Sequence, residues 1–196
     1  MPLASGLLLL TVDSMRELAL HLLDIAENSV AADARDIVIA VDEDPKKDRL
    51  KMSVEDNGKG MDEDMVARVT DPFVTSRTTR KVGLGIPLLK AAAEACKGYL
   101  RINSALGKGT RLEVEFQRSH IDRMPLGDLA GTWFELLVAW PQIHWIFQYR
   151  VNGNEFLFDD APVKQELGGV SLSEPAILTY LRETLQAGIK NIEITD

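Results

Sequence analysis

The sequence predicts an α/β two-layer sandwich: a mixed, mostly antiparallel sheet with helices on one face, followed by a small C-terminal α/β appendage. Three observations carry this prediction. Strand-like segments come in pairs, and helical segments separate the pairs. The strict strand–helix alternation of a doubly wound parallel sheet is missing. Apolar residues make up 45% of the 196 residues, an ordinary share for a packed globular protein.

The elements follow in order. From Met15 to Ala32 apolar residues recur at helical spacing (Leu18, Leu22, Ile25 and Val30), with Ala19 and Ala26 between them. Ser14 and Glu17 ahead of this run have the spacing of a capping box. Asp24 and Asn28, four apart, share one face of the helix, and His21 lies on the same stripe. Ile37–Val41 and the alternating Leu50, Met52 and Val54 predict two strands, joined by a charged loop holding Pro45. The second strand runs into Asp56-Asn57-Gly58-Lys59-Gly60-Met61, where two glycines turn the chain. Asp62–Val69 reads as a short helix, and 71–82 as a surface loop. Gly83-Leu84-Gly85-Ile86-Pro87 opens a helix over Leu88–Lys97, with Pro87 in its first turn and Gly98 as its stop. Strands over Tyr99–Asn103 and Thr110–Phe116 flank Gly107-Lys108-Gly109.

The C-terminal part has a different texture. Leu126–Trp140 reads as a helix. His144–Val151 and Phe156–Phe158 read as strands joined at Asn152-Gly153, a two-residue hairpin signal. That turn sets Tyr149 opposite Phe156 and Phe147 opposite Phe158. Ser173–Ala187 reads as a helix with Pro175 in its first turn and Gly188 as its end. The division expected is a loose leader over 1–14, a domain over 15–118 and an appendage over 119–196. The aromatic residues Trp133, Trp140, Trp145, Phe147 and Tyr149 are expected to form a small core under the hairpin rather than a partner surface.

Composition excludes several classes. The net charge of -8 disfavours nucleic acid as the main partner, because phosphate binding needs a basic face. The one cysteine, Cys96, allows no intramolecular disulfide, so a reducing, cytoplasmic location is expected. Leu7–Leu10 is too short to span a bilayer and lacks a basic flank, so no membrane partner is expected. None of the three histidines has metal-ligand spacing with another His or Cys.

A nucleotide site needs a reader for the base, a handle for the metal and donors for the phosphates, and each has a candidate. Asp56 ends a strand, where its carboxylate can accept from an exocyclic amine, and Gly58 and Gly60 let the backbone approach the base. Gly83 and Gly85 precede a helix whose free N–H groups and positive pole favour anions. Asn28 offers a neutral oxygen to Mg²⁺. Each signal alone is weak; their combination and order give them weight.

The order of these motifs resembles the GHKL superfamily of ATPase domains, which includes histidine kinases, gyrase B, Hsp90 and MutL. Glu27-Asn28-Ser29 resembles the N box. Asp56–Met61 resembles the first glycine box, and Asp71-Pro72-Phe73-Val74-Thr75 the F box of histidine kinases. Val82–Ile86 and Gly107–Thr110 resemble the second and third glycine boxes. The resemblance covers about residues 15–117 and is nearest to the histidine-kinase branch. It implies the Bergerat ATP-binding fold, with ATP and Mg²⁺ as ligands. By resemblance, Asn28 binds Mg²⁺, Asp56 binds the adenine amino group, and Gly58, Gly60 and Met61 line the base. Phe73 belongs to the F box. Gly83, Leu84 and Gly85 admit the phosphates, Thr110 supports the adenine side, and 71–82 form an ATP lid.

Hydrolytic members place a Glu four residues before the box Asn. Asp24 stands there in this chain, one methylene shorter, and is the candidate general base. Arg77, Arg80 and Lys81 form a basic cluster in the lid, where Arg80 or Lys81 can neutralise γ-phosphate charge. His21 lies within the N-box helix, badly placed for in-line attack, and reads as structural. Three functions remain open: a signalling kinase that phosphorylates a separate protein partner in trans, an ATPase with lid-driven switching, and a module that senses ATP without turnover.

Overall fold

The computed structural model describes residues 17–70 and 85–193. Within them the chain forms helices α1 (Leu18–Ala31), α2 (Glu63–Val69), α3 (Gly85–Ala95), α4 (Leu129–Ala139), α5 (Asp160–Leu167) and α6 (Pro175–Glu193). The strands are β1 (Asp36–Asp44), β2 (Arg49–Asp56), β3 (Tyr99–Ala105), β4 (Gly109–Gln117), β5 (His144–Val151) and β6 (Asn154–Asp159). All six join one sheet in the order β3-β4-β2-β1-β5-β6. Only the β1–β5 pair is parallel. This is the mixed, mostly antiparallel α/β fold that the strand pairs predict.

Alternation decides which face of the sheet is dry. Ile37, Ile39 and Val41 of β1, Leu50, Met52 and Val54 of β2, and Leu112, Val114 and Phe116 of β4 are all buried. The helices pack against that face. The opposite face carries Lys51, Glu113, Arg111 and Tyr99, which pair across strands: Lys51 Nζ lies 2.7 Å from Glu113, and the Tyr99 hydroxyl donates to Glu113 at 2.8 Å. Burial, helped by the carboxylate it donates to, pushes the Tyr99 phenol up to about 12.

The segment expected as an appendage shares this sheet and core. β5 lies alongside β1 over eight paired residues, from Asp36–His144 to Glu43–Val151. Its inward residues Trp145, Phe147, Tyr149 and Val151 join the same buried cluster as Leu22, Ile37 and Leu89. The physical reason is that those side chains need cover on the face where α1 already lies. A parallel partner needs a long crossover, which the stretch containing α4 supplies. Trp133 of α4 stacks on Phe147 at 4.9 Å between ring centroids, so the aromatic residues are core, as expected. The hairpin turns at Asn152 and Gly153, both with positive φ, and pairs Tyr149 with Phe156 and Phe147 with Phe158 in the predicted register.

Four local expectations need correction. α1 starts at Leu18, after an extended Glu17, rather than at Met15; Ser14 of the expected capping box lies outside the described residues. Its first free N–H groups are taken by the connector before α4: Leu18 N donates to Pro125 O at 2.9 Å and Ala19 N to Leu126 O at 2.8 Å. α4 starts at Leu129 rather than Leu126, because the Asp128 carboxylate caps it by accepting from Gly131 N at 2.8 Å. α5 has no counterpart among the expected helices. It is short and polar, with Asp159 accepting from Ala161 N at its start and a left-handed Gly168 at its end. α6 does not stop at Gly188 but runs to Glu193. Gly188 is there for space: a Cβ on it would lie 2.2 Å from the Phe156 ring.

That contact reverses a familiar rule. Replacing Gly by Ala inside an unobstructed helix gains about 1 kcal/mol. Gly188→Ala is expected to lower the thermal midpoint, because the methyl meets the Phe156 ring of β6. Combining it with Phe156→Leu is expected to recover part of the loss. Thermal unfolding of the two variants checks both outcomes.

Candidate functional site

Asp56 is the last residue of β2 and is 9% exposed. Its Oδ2 accepts from the Ser29 hydroxyl of α1 at 2.7 Å. Its Oδ1 accepts from Gly58 N at 2.8 Å and from Thr110 N at 3.2 Å. One carboxylate therefore ties together α1, the turn after β2 and the start of β4. Three donors hold it in a single orientation.

The turn itself is clamped by close backbone approaches. Lys59 N donates to Ala32 O at 2.9 Å, and Gly107 N to Lys59 O at 2.7 Å. At Gly60 (φ +66) an added Cβ would lie 2.0 Å from Ala105 O; at Gly109 (φ +81) it would lie 1.9 Å from Asp56 O. Both positions need glycine for conformation and for space. Met61 N donates to Ser104 Oγ at 2.8 Å, and Ser104 Oγ also lies 2.9 Å from Thr110 Oγ1.

Beside this turn is a cavity of ≈ 280 Å³. Ile25, Val54, Met65, Ile86, Ile102 and Leu112 give it apolar walls, and Asn28, Ser29, Asp56 and Thr110 supply polar groups. A largely apolar cleft with a few convergent polar groups is the usual form of a small-molecule site.

Asp24, one turn before Asn28 on α1, reaches the start of α3. A Cβ at Gly85 would lie 2.0 Å from its Oδ2, so glycine is what lets the helix start close against this carboxylate. Burial pushes the Asp24 carboxyl above its ordinary value. Glu27 is raised as well, by burial first and then by the nearby charges of Asp24 and Glu135.

The structure thus brings Asn28, Asp56, Gly60, Met61 and Thr110 to one cavity. Gly58 sits behind the Asp56 carboxylate, and Asp24 and Gly85 meet one another at the start of α3. Phe73, Arg80, Lys81, Gly83 and Leu84, with the rest of 71–82, lie outside the described residues, as does the leader. Ser29, Ser104 and Lys59 are site residues that the sequence reading did not single out. Ser29 stands within the N-box motif itself, but its bond to Asp56 spans 27 positions and has no local signature. Ile102 and Leu112 are legible as inward strand residues, not as walls of a cavity. His21 is buried at 3% exposure in α1, in keeping with a structural place.

Comparison with known proteins bears on the family and the fold. Residues 12–120 match the family described as histidine kinase-, DNA gyrase B- and HSP90-like ATPase. The chain is 39% identical over 88 residues to the sensor protein kinase FleS of Pseudomonas aeruginosa, covering 45% of this chain and 22% of that one. It is 27% identical over 95 residues to the sensor histidine kinase YvrG of Bacillus subtilis, covering 46% of this chain and 16% of that one. The matched stretch is therefore under a quarter of either relative's length. In fold, it is similar to the N-terminal domain of a DNA repair protein, with a TM-score of 0.51 at 14% identity, covering 74% of this chain and 53% of that one. No helix among the described residues is long and apolar enough to cross a membrane. With the family match spanning more than half its length, the chain belongs to the histidine kinase-, DNA gyrase B- and HSP90-like ATPase family.

Proposed function

We propose that this chain binds Mg-ATP in the cavity beside Asp56 and, as a signalling component, transfers the γ-phosphoryl group to a separate partner protein. The carrying observation is the Asp56 carboxylate, held by three donors at one end of an apolar cleft. So fixed, it can accept from the amino group of a purine without reorganising. The adenine ring would lie between Met61 and the apolar walls. The free N–H groups at the start of α3 would face the phosphates.

The donor set fits a magnesium ion. Asn28 offers a neutral oxygen at the cavity, and Asp24 stands one turn away, its burial uncompensated by a cation among the described residues. When bound, Mg²⁺ would neutralise phosphate charge. Arg80 and Lys81 would add to that on the lid side. The sensor kinases among the relatives support the transfer reading; the acceptor would lie on another chain.

One observation favours a second reading, hydrolysis. Burial makes Asp24 a stronger base than an ordinary carboxylate. On that reading Asp24 takes the proton of the attacking water.

Asp56→Asn keeps an oxygen for Gly58 and Thr110 but turns an amide N–H₂ towards Ser29 and the ligand. Two donors then face each other, and ATP affinity is expected to fall by about 10- to 100-fold, the cost of an unsatisfied buried donor. Asn28→Ala is expected to weaken Mg-ATP binding while leaving adenosine binding unchanged. Calorimetric titration of the folded variants reads both; unchanged Mg-ATP affinity in the two variants would refute the site.

Incubation with γ-labelled ATP and a host extract separates the two reactions. Label on a partner protein supports transfer. Steady phosphate release that Asp24→Asn abolishes, with no labelled partner, supports hydrolysis.

A further inference from the structure

The β5–β6 hairpin touches the nucleotide-binding turn through a chain of polar side chains. His144 opens β5, directly opposite Asp36 of β1. Its Nδ1 lies 2.9 Å from Asp36 Oδ1, and its Nε2 lies 2.9 Å from Asp159 Oδ1. Asp159 Oδ1 also caps α5 by accepting from Ala161 N at 2.9 Å. On the other side, the Asn57 side-chain amide donates to Asp36 Oδ2. Asn57 Oδ1 accepts from Arg35 N at 2.8 Å and Asp36 N at 3.0 Å, and Asn57 N donates to Asp36 O at 3.3 Å. Asn57 is the residue between Asp56 and Gly58. The chain of contacts therefore runs from the start of α5 through His144 and Asp36 to the turn that holds the Asp56 carboxylate.

Carboxylates accept and do not donate, so both ring nitrogens of His144 can be satisfied only if both carry hydrogens. A neutral ring has one N–H and must give up one of the two contacts. We propose that His144, as an imidazolium, is a positioning residue for the nucleotide site, fixing the Asp56–Gly60 turn through Asp36 and Asn57. The β5–β6 hairpin and the start of α5 thereby set how well the cavity holds its ligand. The ligand half of this proposal rests on the nucleotide reading above.

The charges around the ring agree. The groups that face His144 are Asp36 from β1, and Asp159 and Asp160 at the junction of β6 and α5. Asp160 is buried and pairs with Lys164 at 2.5 Å, which leaves Asp36 and Asp159 as the acceptors for the ring. The Asp159 contact, opposed in part by burial and aided by Asp36, holds the imidazole above its ordinary value. The ligand atoms of His144, Asp159 and Asp160 lie within 4.8 Å of one another, but these contacts already satisfy them without an ion. For a group raised in this way, the organised state is fully present below the ordinary histidine range and is lost as pH rises through the folded value.

The test uses the whole chain at pH 5.5 to 8.5, on the order of one to two units either side of an ordinary histidine. The backbone amide signals of Asn57, Gly58 and Lys59 are followed by NMR alongside the His144 ring, with Mg-ATP affinity measured at each pH. Wild type, His144→Gln and Asp159→Asn are compared. The turn amides are expected to titrate with the midpoint of His144, to stop doing so in His144→Gln, and to follow a lowered midpoint in Asp159→Asn. The ratio of Mg-ATP dissociation constants, His144→Gln over wild type, is expected to be about three- to tenfold at low pH and to approach one at high pH, on the order of the net worth of one ordinary hydrogen bond because the effect reaches the ligand only through Asp36 and Asn57. Using the ratio cancels the titration of ATP itself. Turn amides that ignore the His144 midpoint, or a ratio that does not change with pH, would overturn the proposal. Amides that follow His144 in a protein that binds no nucleotide at any pH would uphold the positioning role and defeat the nucleotide reading instead.

Discussion

The carboxylate of Asp56 accepts from Ser29, Gly58 and Thr110, three residues far apart in the chain, and the geometry of the site follows from that convergence. A buried carboxylate is expensive unless donors surround it. Satisfying it forces α1 against the end of β2 and draws the start of β4 alongside. The glycine turn then has to fit between Ala32 and the β3–β4 hairpin, where only glycine leaves room at positions 60 and 109. Three donors fix the Asp56 carboxylate in one orientation at the edge of the cavity. Preorganisation of this kind spares a binding site the cost of ordering itself.

The second structural theme is continuity. A reader of the C-terminal third sees a helix, an aromatic hairpin and more helix, which looks like a separate unit. The aromatic side chains of β5 cannot be covered by their own hairpin, and the cover they find is α4 and α6, which lie against the helical layer that includes α1. The result is one sheet in which β1 has β2 on one side and β5 on the other. β1 thus joins two halves, one carrying the ligand cavity and the other carrying hairpin and helices. The polar contacts around His144, Asp36 and Asn57 lie on that same seam.

Several misread boundaries share a cause. Gly188 has the chemistry of a helix stop, yet it serves as a notch for the Phe156 ring. Ser14 and Glu17 have the spacing of a capping box, yet the first amides of α1 bond to carbonyls at 125 and 126. In each case a local pattern has a valid local meaning, and a partner more than 25 positions away overrides it. α5 is the converse. Its Asp cap, early proline and terminal glycine are all present in the sequence, but eight residues, half of them polar, offer too little apolar periodicity to draw attention.

The motif order, through its resemblance to the GHKL superfamily, predicted that Asn28, Asp56, Gly60, Met61 and Thr110 gather in one place, and they line one cavity. The sequence by itself determined the fold class, the inward face of each strand and the hairpin register. These are legible because period, turn chemistry and glycine placement are local properties of the chain. The tertiary structure alone decided that Ser29 holds Asp56, that Gly85 is needed beside Asp24, that Gly188 accommodates a ring, and that the C-terminal strands extend the first sheet. The reason is the same throughout: hydrogen-bond partners and van der Waals neighbours at long sequence separation are chosen by packing, and packing leaves no short-range pattern to read.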